Sequence, residues 1–175
     1  EMGAASARVF ELSRNWSSMG HEVTVLTCFP NYPEGRIYDS YARKGNKFFL
    51  REKMEGIKVI RTYIYTTHYR SSLRRGLNYL SFLISSSSAI PFLREQDIII
   101  ATSPSLFAGL SGFFCSRYHR IPLVFEVRDL WPEVIQAMGA GSKDSMAYRI
   151  FDHIASLLYK KSDLIVTVTE SFKET

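Results

Sequence analysis

Apolar positions at Ala5, Val9, Leu12, Trp16 and Met19 recur every three or four residues, which predicts one helix face that Gly20 brings to a stop. The next run, His21-Glu22-Val23-Thr24-Val25-Leu26-Thr27, alternates and is β-branched, so it reads as a strand. Turn chemistry follows in Asn31-Tyr32-Pro33-Glu34-Gly35. Residues 48–53 and 57–65 predict two strands joined as a hairpin around Glu55-Gly56. A helix is predicted over 72–93, then a buried strand over 97–102 that Ser103-Pro104 breaks. Residues 106–118 form the next helix and 122–127 the next strand. The loop 128–133 enters a short helix with Pro132 in its first turn. An amphipathic helix over 143–161 and a strand over 163–168 follow, and Ser171 and Glu174 have the spacing of a capping box.

Apolar strands alternating with helices predict an α/β fold, a Rossmann-like parallel sheet with helices on both faces. At 175 residues the chain is one domain's worth of sequence. A doubly wound domain begins with a strand, whereas this chain begins at the loop after one, so the first strand is expected to be missing. Ligands of such sheets sit beyond the carboxyl ends of the strands. That rule selects the segment around Gly3, the Thr27–Gly35 loop, Ser103-Pro104 and Arg128–Glu133.

Composition changes little in this picture; the placement of charge changes more. Residues 36–75 carry eleven basic side chains against three acidic ones, a net +8 in a chain of net +5. Such a block suits an anionic partner (a membrane surface, a diphosphate or a nucleic acid) and equally suits a solvated face. The uncharged run Gly76–Leu93 holds five serines and Pro91, and reads as a largely buried helix rather than a membrane span. No secretory pattern precedes the first helix. Cys28 and Cys115 lie far apart without metal-ligand spacing and read as free thiols of a cytoplasmic protein.

Gly3-Ala4-Ala5-Ser6 leads directly into the first helix, where small residues admit a ligand and free N–H groups attract anions. Plain helix initiation explains the same residues. Arg128-Asp129-Leu130-Trp131-Pro132-Glu133 concentrates charge and an aromatic at a strand's carboxyl end, with Glu126 on the same strand face as Arg128. Arg128 suits a phosphate or a sugar hydroxyl, and Asp129 suits hydroxyls or a base role; a buried Arg–Asp pair fastening the loop is the other reading. The four histidines are scattered and read as structural, with His68 inside the basic block. No G-x-G-x-x-G, G-x-S-x-G, Walker loop or zinc motif is present.

Taken in order, Glu1-Met2-Gly3-Ala4-Ala5-Ser6-Ala7-Arg8, Gly20-His21-Glu22-Val23-Thr24-Val25-Leu26-Thr27, Pro30-Asn31-Tyr32-Pro33-Glu34-Gly35, Ser103-Pro104, Pro122 to Glu133 and Asp163 to Glu170 resemble the N-terminal domain of glycosyltransferase family 4. The similarity is to the subgroup acting in bacterial capsule and O-antigen assembly. It implies a GT-B enzyme of two domains, of which residues 1–175 are the acceptor-side half and the donor domain is absent. It further implies transfer from a nucleotide-sugar with retention at the anomeric carbon, no metal, and no cofactor, the nucleotide-sugar being a substrate. Gly3, Ala4, Ala5 and Ser6 match the loop facing the donor diphosphate. Arg128 stands where many members have a histidine, which leaves Arg128 and Asp129 as the catalytic candidates. Asn31, Tyr32, His68, Arg70, Glu126 and Trp131 would face the acceptor, a saccharide that in this subgroup is often lipid-linked. The implied location is cytoplasmic, peripheral to the inner membrane face, with an anionic membrane surface and no nucleic acid as partner. Two other classes remain beside it: a nicotinamide-dependent sugar-nucleotide enzyme, against which the missing glycine fingerprint counts, and a non-catalytic anion or membrane-surface module. A chain without a central strand is also expected to self-associate through its sheet edges, and half a cleft is expected to be inactive.

Overall fold

The computed structural model describes residues 3–43, 48–66, 72–93, 95–131 and 145–173. The chain divides into two compact units, Glu1–Ala89 and Ile90–Thr175.

In the first unit, α1 (Ala4–Ser18) ends where Gly20, at φ 92°, turns the chain and His21 N donates to Trp16 O at 3.1 Å. That left-handed turn suits glycine. Strands β1 (Thr24–Cys28), β2 (Phe49–Met54) and β3 (Ile57–Thr62) form a sheet in the order β1-β3-β2, with a short helix α2 (Asp39–Ala42) between β1 and β2. β1 and β3 are parallel, with Val25 opposite Val59, whereas β2 and β3 are the predicted antiparallel hairpin. Its two-residue turn holds Glu55 at φ 48° and Gly56 at φ 89°, the positive pair that matches strand twist. Ile57, Val59 and Arg61 are all buried at alternate positions of β3, so a guanidinium occupies a place that alternation assigns to an apolar side chain.

Two expectations are corrected here. The strand predicted to reach Tyr65 ends at Thr62, because the backbone beyond it bonds to a helix instead of a strand. Ser85 Oγ of α3 (Ser72–Ala89) donates to Tyr63 O at 2.5 Å, Asn78 Nδ2 donates to Tyr65 O at 2.6 Å, and Tyr65 N donates to Ser81 Oγ at 2.8 Å. For the same reason α3 is not largely buried: its serine and asparagine row faces inward, and its aliphatic row faces water. The helix stops at Ala89, and Ile90–Phe92, which contains Pro91, continues as one 3-10 turn.

The second unit contains β4 (Ile99–Thr102), α4 (Leu106–His119), β5 (Leu123–Val127), α5 (Met146–Lys161) and β6 (Leu164–Thr167). The strands run parallel in the order β4-β5-β6, with Ile99 opposite Leu123 and Phe125 opposite Ile165. The α/β class read from the sequence holds, with parallel strands flanked by helices; the strands form two ladders of three, β1-β3-β2 and β4-β5-β6. Leu106, Leu123, Phe125, Ala155 and Leu158 form the buried core of this unit. α4 comes close to it at two glycines: a Cβ on Gly112 would lie 2.6 Å from Ala101 Cβ, and one on Gly109 2.6 Å from Leu158 Cδ1. α5 is capped by Ser145, whose hydroxyl accepts from Tyr148 N at 3.2 Å. Where Ser171 and Glu174 have the spacing of a capping box, Glu170–Lys173 forms a 3-10 turn, and Glu174 lies outside the described residues.

Candidate functional site

Parallel strands leave their carboxyl-end backbone groups facing a crevice, and in the second unit β4 and β5 end side by side there. Ser103 N donates to Glu126 O at 2.9 Å, continuing the ladder by one bond. The Ser103 hydroxyl, 1% exposed, then accepts from Arg128 N at 2.7 Å and Asp129 N at 3.3 Å. One buried oxygen thus anchors the backbone of both catalytic candidates. The Ser103-Pro104 peptide is cis. Thr102 Oγ1 donates to Glu126 Oε2 at 2.7 Å, so the Glu126 carboxylate, 7% exposed, is held within the sheet end.

Around this anchor one polar atom on each of two large side chains has no partner among the described residues. Arg128 Nη1 and Trp131 Nε1 are both buried donors without a hydrogen bond. Unpaired buried donors cost free energy, so these two are candidates for contact with another molecule's acceptor. Trp131 is fixed in place: its ring stacks on Phe151 of α5 with centroids 5.2 Å apart, and the Tyr159 hydroxyl lies 3.4 Å from its backbone N. Among the described residues no ion pair joins Arg128 to Asp129. The loop is held by Ser103, which removes the reading of a fastening Arg–Asp pair.

In the first unit the glycine segment and the Asn31 loop meet. Gly3 precedes α1 with no side-chain cap, and its missing side chain leaves Tyr32 within reach, since a Cβ there would sit 3.7 Å from Tyr32 Cδ1. Ala4 and Ala5 open the helix and Ser6 lies in its first turn, where backbone N–H groups lack intrahelical partners. Asn31 is buried, with its Nδ2 donating to Phe29 O at 2.8 Å and to Cys28 Sγ at 3.6 Å, while Asn31 O accepts from Gly35 N at 2.8 Å. Asn31 therefore shapes the loop. Tyr32, 62% exposed, offers its ring outward, and its carbonyl accepts from the Tyr38 hydroxyl.

A buried ionic cluster underlies this loop. Arg61 Nε donates to Glu52 Oε1 at 2.5 Å, Nη1 donates to Cys28 O at 3.2 Å, and the guanidinium carbon lies 5.0 Å from the Tyr41 ring centroid. The Tyr41 hydroxyl donates to Glu52 Oε2 at 3.0 Å. Burial pushes the Tyr41 phenol above its usual pKa, with the Arg61 charge opposing and Glu52 adding to the rise. The sequence places Arg61 in a basic block suited equally to an anionic partner or a solvated face; the signal for its burial is its alternation with Ile57 and Val59. Ser103 was marked as a strand end but not as an anchor, a role that depends on a strand 25 residues downstream.

His68, Arg70, Pro132 and Glu133 lie outside the described residues. His119 is structural, with Nε2 2.9 Å from Ile90 O. Both cysteines are free thiols, and burial pushes Cys115 up to about 11. Among the described residues no three His, Cys, Asp or Glu side chains converge as a metal site, and no helix is long and apolar enough to cross a membrane.

Comparison with known proteins agrees with the resemblance read from the sequence. The family described as Glycosyl transferase 4-like domain matches residues 3–175. The "Putative colanic acid biosynthesis glycosyl transferase WcaI" of Escherichia coli strain K12 is 25% identical over 130 residues, which cover 73% of this chain and 31% of that protein. The match therefore spans about a third of the relative's length.

Proposed function

As the chain belongs to the glycosyl transferase 4-like family, we propose that it forms the acceptor-side half of an enzyme that transfers a sugar from a nucleotide-sugar donor to a saccharide acceptor. On this reading the acceptor is lipid-linked, the product belongs to a surface polysaccharide of capsule or O-antigen type, and the enzyme works at the cytoplasmic face of the membrane. The name of the colanic acid relative supports a polysaccharide product. The anomeric configuration is retained, and no metal is required.

The observation that carries this reading is the pair of unpartnered buried donors, Arg128 Nη1 and Trp131 Nε1, at the carboxyl end of β5. Transfer of a glycosyl group leaves negative charge on the departing diphosphate and positive charge on the sugar. A guanidinium with one buried, unpartnered nitrogen suits the first, and a carboxylate at Asp129 suits the second or orients the attacking hydroxyl. The Arg128 and Asp129 backbone, held by Ser103, needs little reorganisation when substrate arrives. In the first unit taken by itself, Gly3 and the first turn of α1 offer N–H groups suited to a phosphate, and the exposed ring of Tyr32 offers a flat face to a sugar.

In the full-length protein, Arg128→Ala and Asp129→Ala should each lower kcat/KM by roughly a hundredfold or more, as loss of a positioned electrostatic group does. Near wild-type turnover in both variants would sink the assignment. Residues 1–175 alone should neither turn over nor tightly bind a nucleotide-sugar, and tight binding by calorimetry would contradict the division of labour proposed here.

A further inference from the structure

A guanidinium lies in the core of the first unit, where burying an unanswered charge costs far more than the fold can bear. Arg61 is 3% exposed. Its partners come from three elements. Nε donates to Glu52 Oε1 of β2 at 2.5 Å and Nη1 to Cys28 O at the end of β1 at 3.2 Å, while the guanidinium carbon lies over the Tyr41 ring of α2, 5.0 Å from its centroid. Such a pair is a poor way to stabilise a core, because apolar side chains of similar volume commonly do as well or better. What it supplies is direction, since each partner is met at one atom in one geometry.

The pair stands where one loop leaves the sheet and comes back to it. On the way out, Cys28 O accepts from Arg61, and Phe29 N donates to Thr62 O at 3.3 Å. On the way back, the Tyr41 hydroxyl donates to Glu52 Oε2 at 3.0 Å, and its ring meets the fully buried Phe29 edge to face, with centroids 6.2 Å apart. Between these ends the loop closes on itself. Tyr38 N donates to Pro30 O at 3.1 Å, Gly35 N to Asn31 O at 2.8 Å, and the Tyr38 hydroxyl to Tyr32 O. Tyr32 is therefore held by its backbone while its ring is exposed. A ring held this way meets a ligand without first losing loop entropy.

We propose that Glu52 and Arg61 are positioning residues, a buried clamp that sets, through Tyr41 and Cys28, the loop presenting the Tyr32 ring to a sugar. The sugar rests on the proposed function, whereas the clamp does not, so the test has one arm for each. In the full-length protein, Glu52→Leu/Arg61→Met replaces the pair by apolar side chains and should hold its melting temperature. With two charge-assisted bonds gone, amide hydrogen exchange at Gly35 and Tyr38 should quicken about a hundredfold. Tyr41→Phe leaves the pair intact, removes one tie, and should quicken the same amides about tenfold. The second arm is binding of methyl β-glucoside and methyl β-galactoside, followed by saturation transfer from the protein in NMR. It should weaken about tenfold in the double variant, whose loop is then competent about a tenth of the time, and at least as much in Tyr32→Ala. Unchanged exchange at Gly35 and Tyr38 overturns the clamp, whatever the glycosides do. A double variant that melts well below wild type assigns the pair to stability and overturns it too. Quickened exchange with wild-type glycoside binding, where Tyr32→Ala weakens that binding, overturns the positioning role. Wild-type binding in Tyr32→Ala removes the sugar from the proposal, a failure of the underlying reading that the exchange arm does not share.

Discussion

Two buried serines of the second unit should respond oppositely to the same substitution. Ser103 Oγ accepts two backbone N–H groups, from Arg128 at 2.7 Å and Asp129 at 3.3 Å. Ser103→Ala leaves both donors without that acceptor. The shorter bond costs about 1–3 kcal/mol when its partner is left unsatisfied, and the longer one adds less than about 1 kcal/mol, for a total of roughly 2–3 kcal/mol. Ser111 Oγ, by contrast, is buried with no partner at all. Removing that hydroxyl discards a desolvation penalty, so Ser111→Ala should be neutral or stabilising by about 1 kcal/mol. With a urea slope of about 2 kcal/mol/M, the Ser103 change moves the unfolding midpoint down by about 1 M, while the Ser111 midpoint holds or rises. Circular dichroism in a urea titration reads both. In the full-length protein, Ser103→Ala should also lower kcat at temperatures where it remains folded, because the Arg128 and Asp129 backbone loses its anchor. Equal midpoints for the two variants would refute the reasoning, and a destabilised Ser103→Ala with wild-type kcat would detach the anchor from the site.

Glycine substitutions test the packing of α4. Gly112→Ala places a Cβ 2.6 Å from Ala101 Cβ, which has no flexible end to withdraw, so overpacking of about 1–3 kcal/mol should exceed the helix-propensity gain of about 1 kcal/mol. Gly76→Ala on α3 meets nothing within 4 Å and should stabilise by up to about 1 kcal/mol; thermal melting that ranks the two alike would count against the close approach of α4. The Cys115 thiol supplies a pH signature. Its folded pKa is raised to about 11 by burial, above the unfolded value near 8.5. The folded state therefore keeps the proton longer, and the stability it contributes is complete below pH 8.5 and is lost as pH rises towards 11. That loss, about 3 kcal/mol, should appear in wild type and be absent from Cys115→Ala, so the difference between the two in urea titrations should change with pH across this range. A difference that stays constant with pH would refute the burial argument.

Local pattern made the elements legible where the chain's own neighbours decide them. Glu55-Gly56 announces a hairpin through its glycine, which accepts the positive φ of the turn's second residue, while Glu55 adopts its own positive φ without such a preference. The carboxyl ends of β4 and β5 are legible as the address of a candidate site because parallel strands alternate with helices. What stayed hidden depends on partners from other elements. Periodicity reports that α3 has two unlike rows, but not which row turns inward. That choice rests on Tyr63 and Tyr65 carbonyls waiting beyond β3 for Ser85 and Asn78. Arg61 is the same case in a strand. Its position alternates with Ile57 and Val59, yet its charge reads as solvated until the β2–β3 register is known. That register sets Glu52 opposite Val59, one diagonal step from Arg61, where the pair forms across the ladder. Arg128 and Asp129 follow suit: adjacent in sequence, they could have paired with each other, and Ser103 from the neighbouring strand holds their backbone instead. A buried polar group is tolerable only with a specific partner, and where that partner comes from another strand or helix, no window of local sequence contains it. Of the buried polar atoms left without a partner among the described residues, Arg128 Nη1 and Trp131 Nε1 are the two that lie together at the carboxyl end of β5, which is what makes them candidates for a ligand's acceptor while Ser87 and Ser111, within helices, are not.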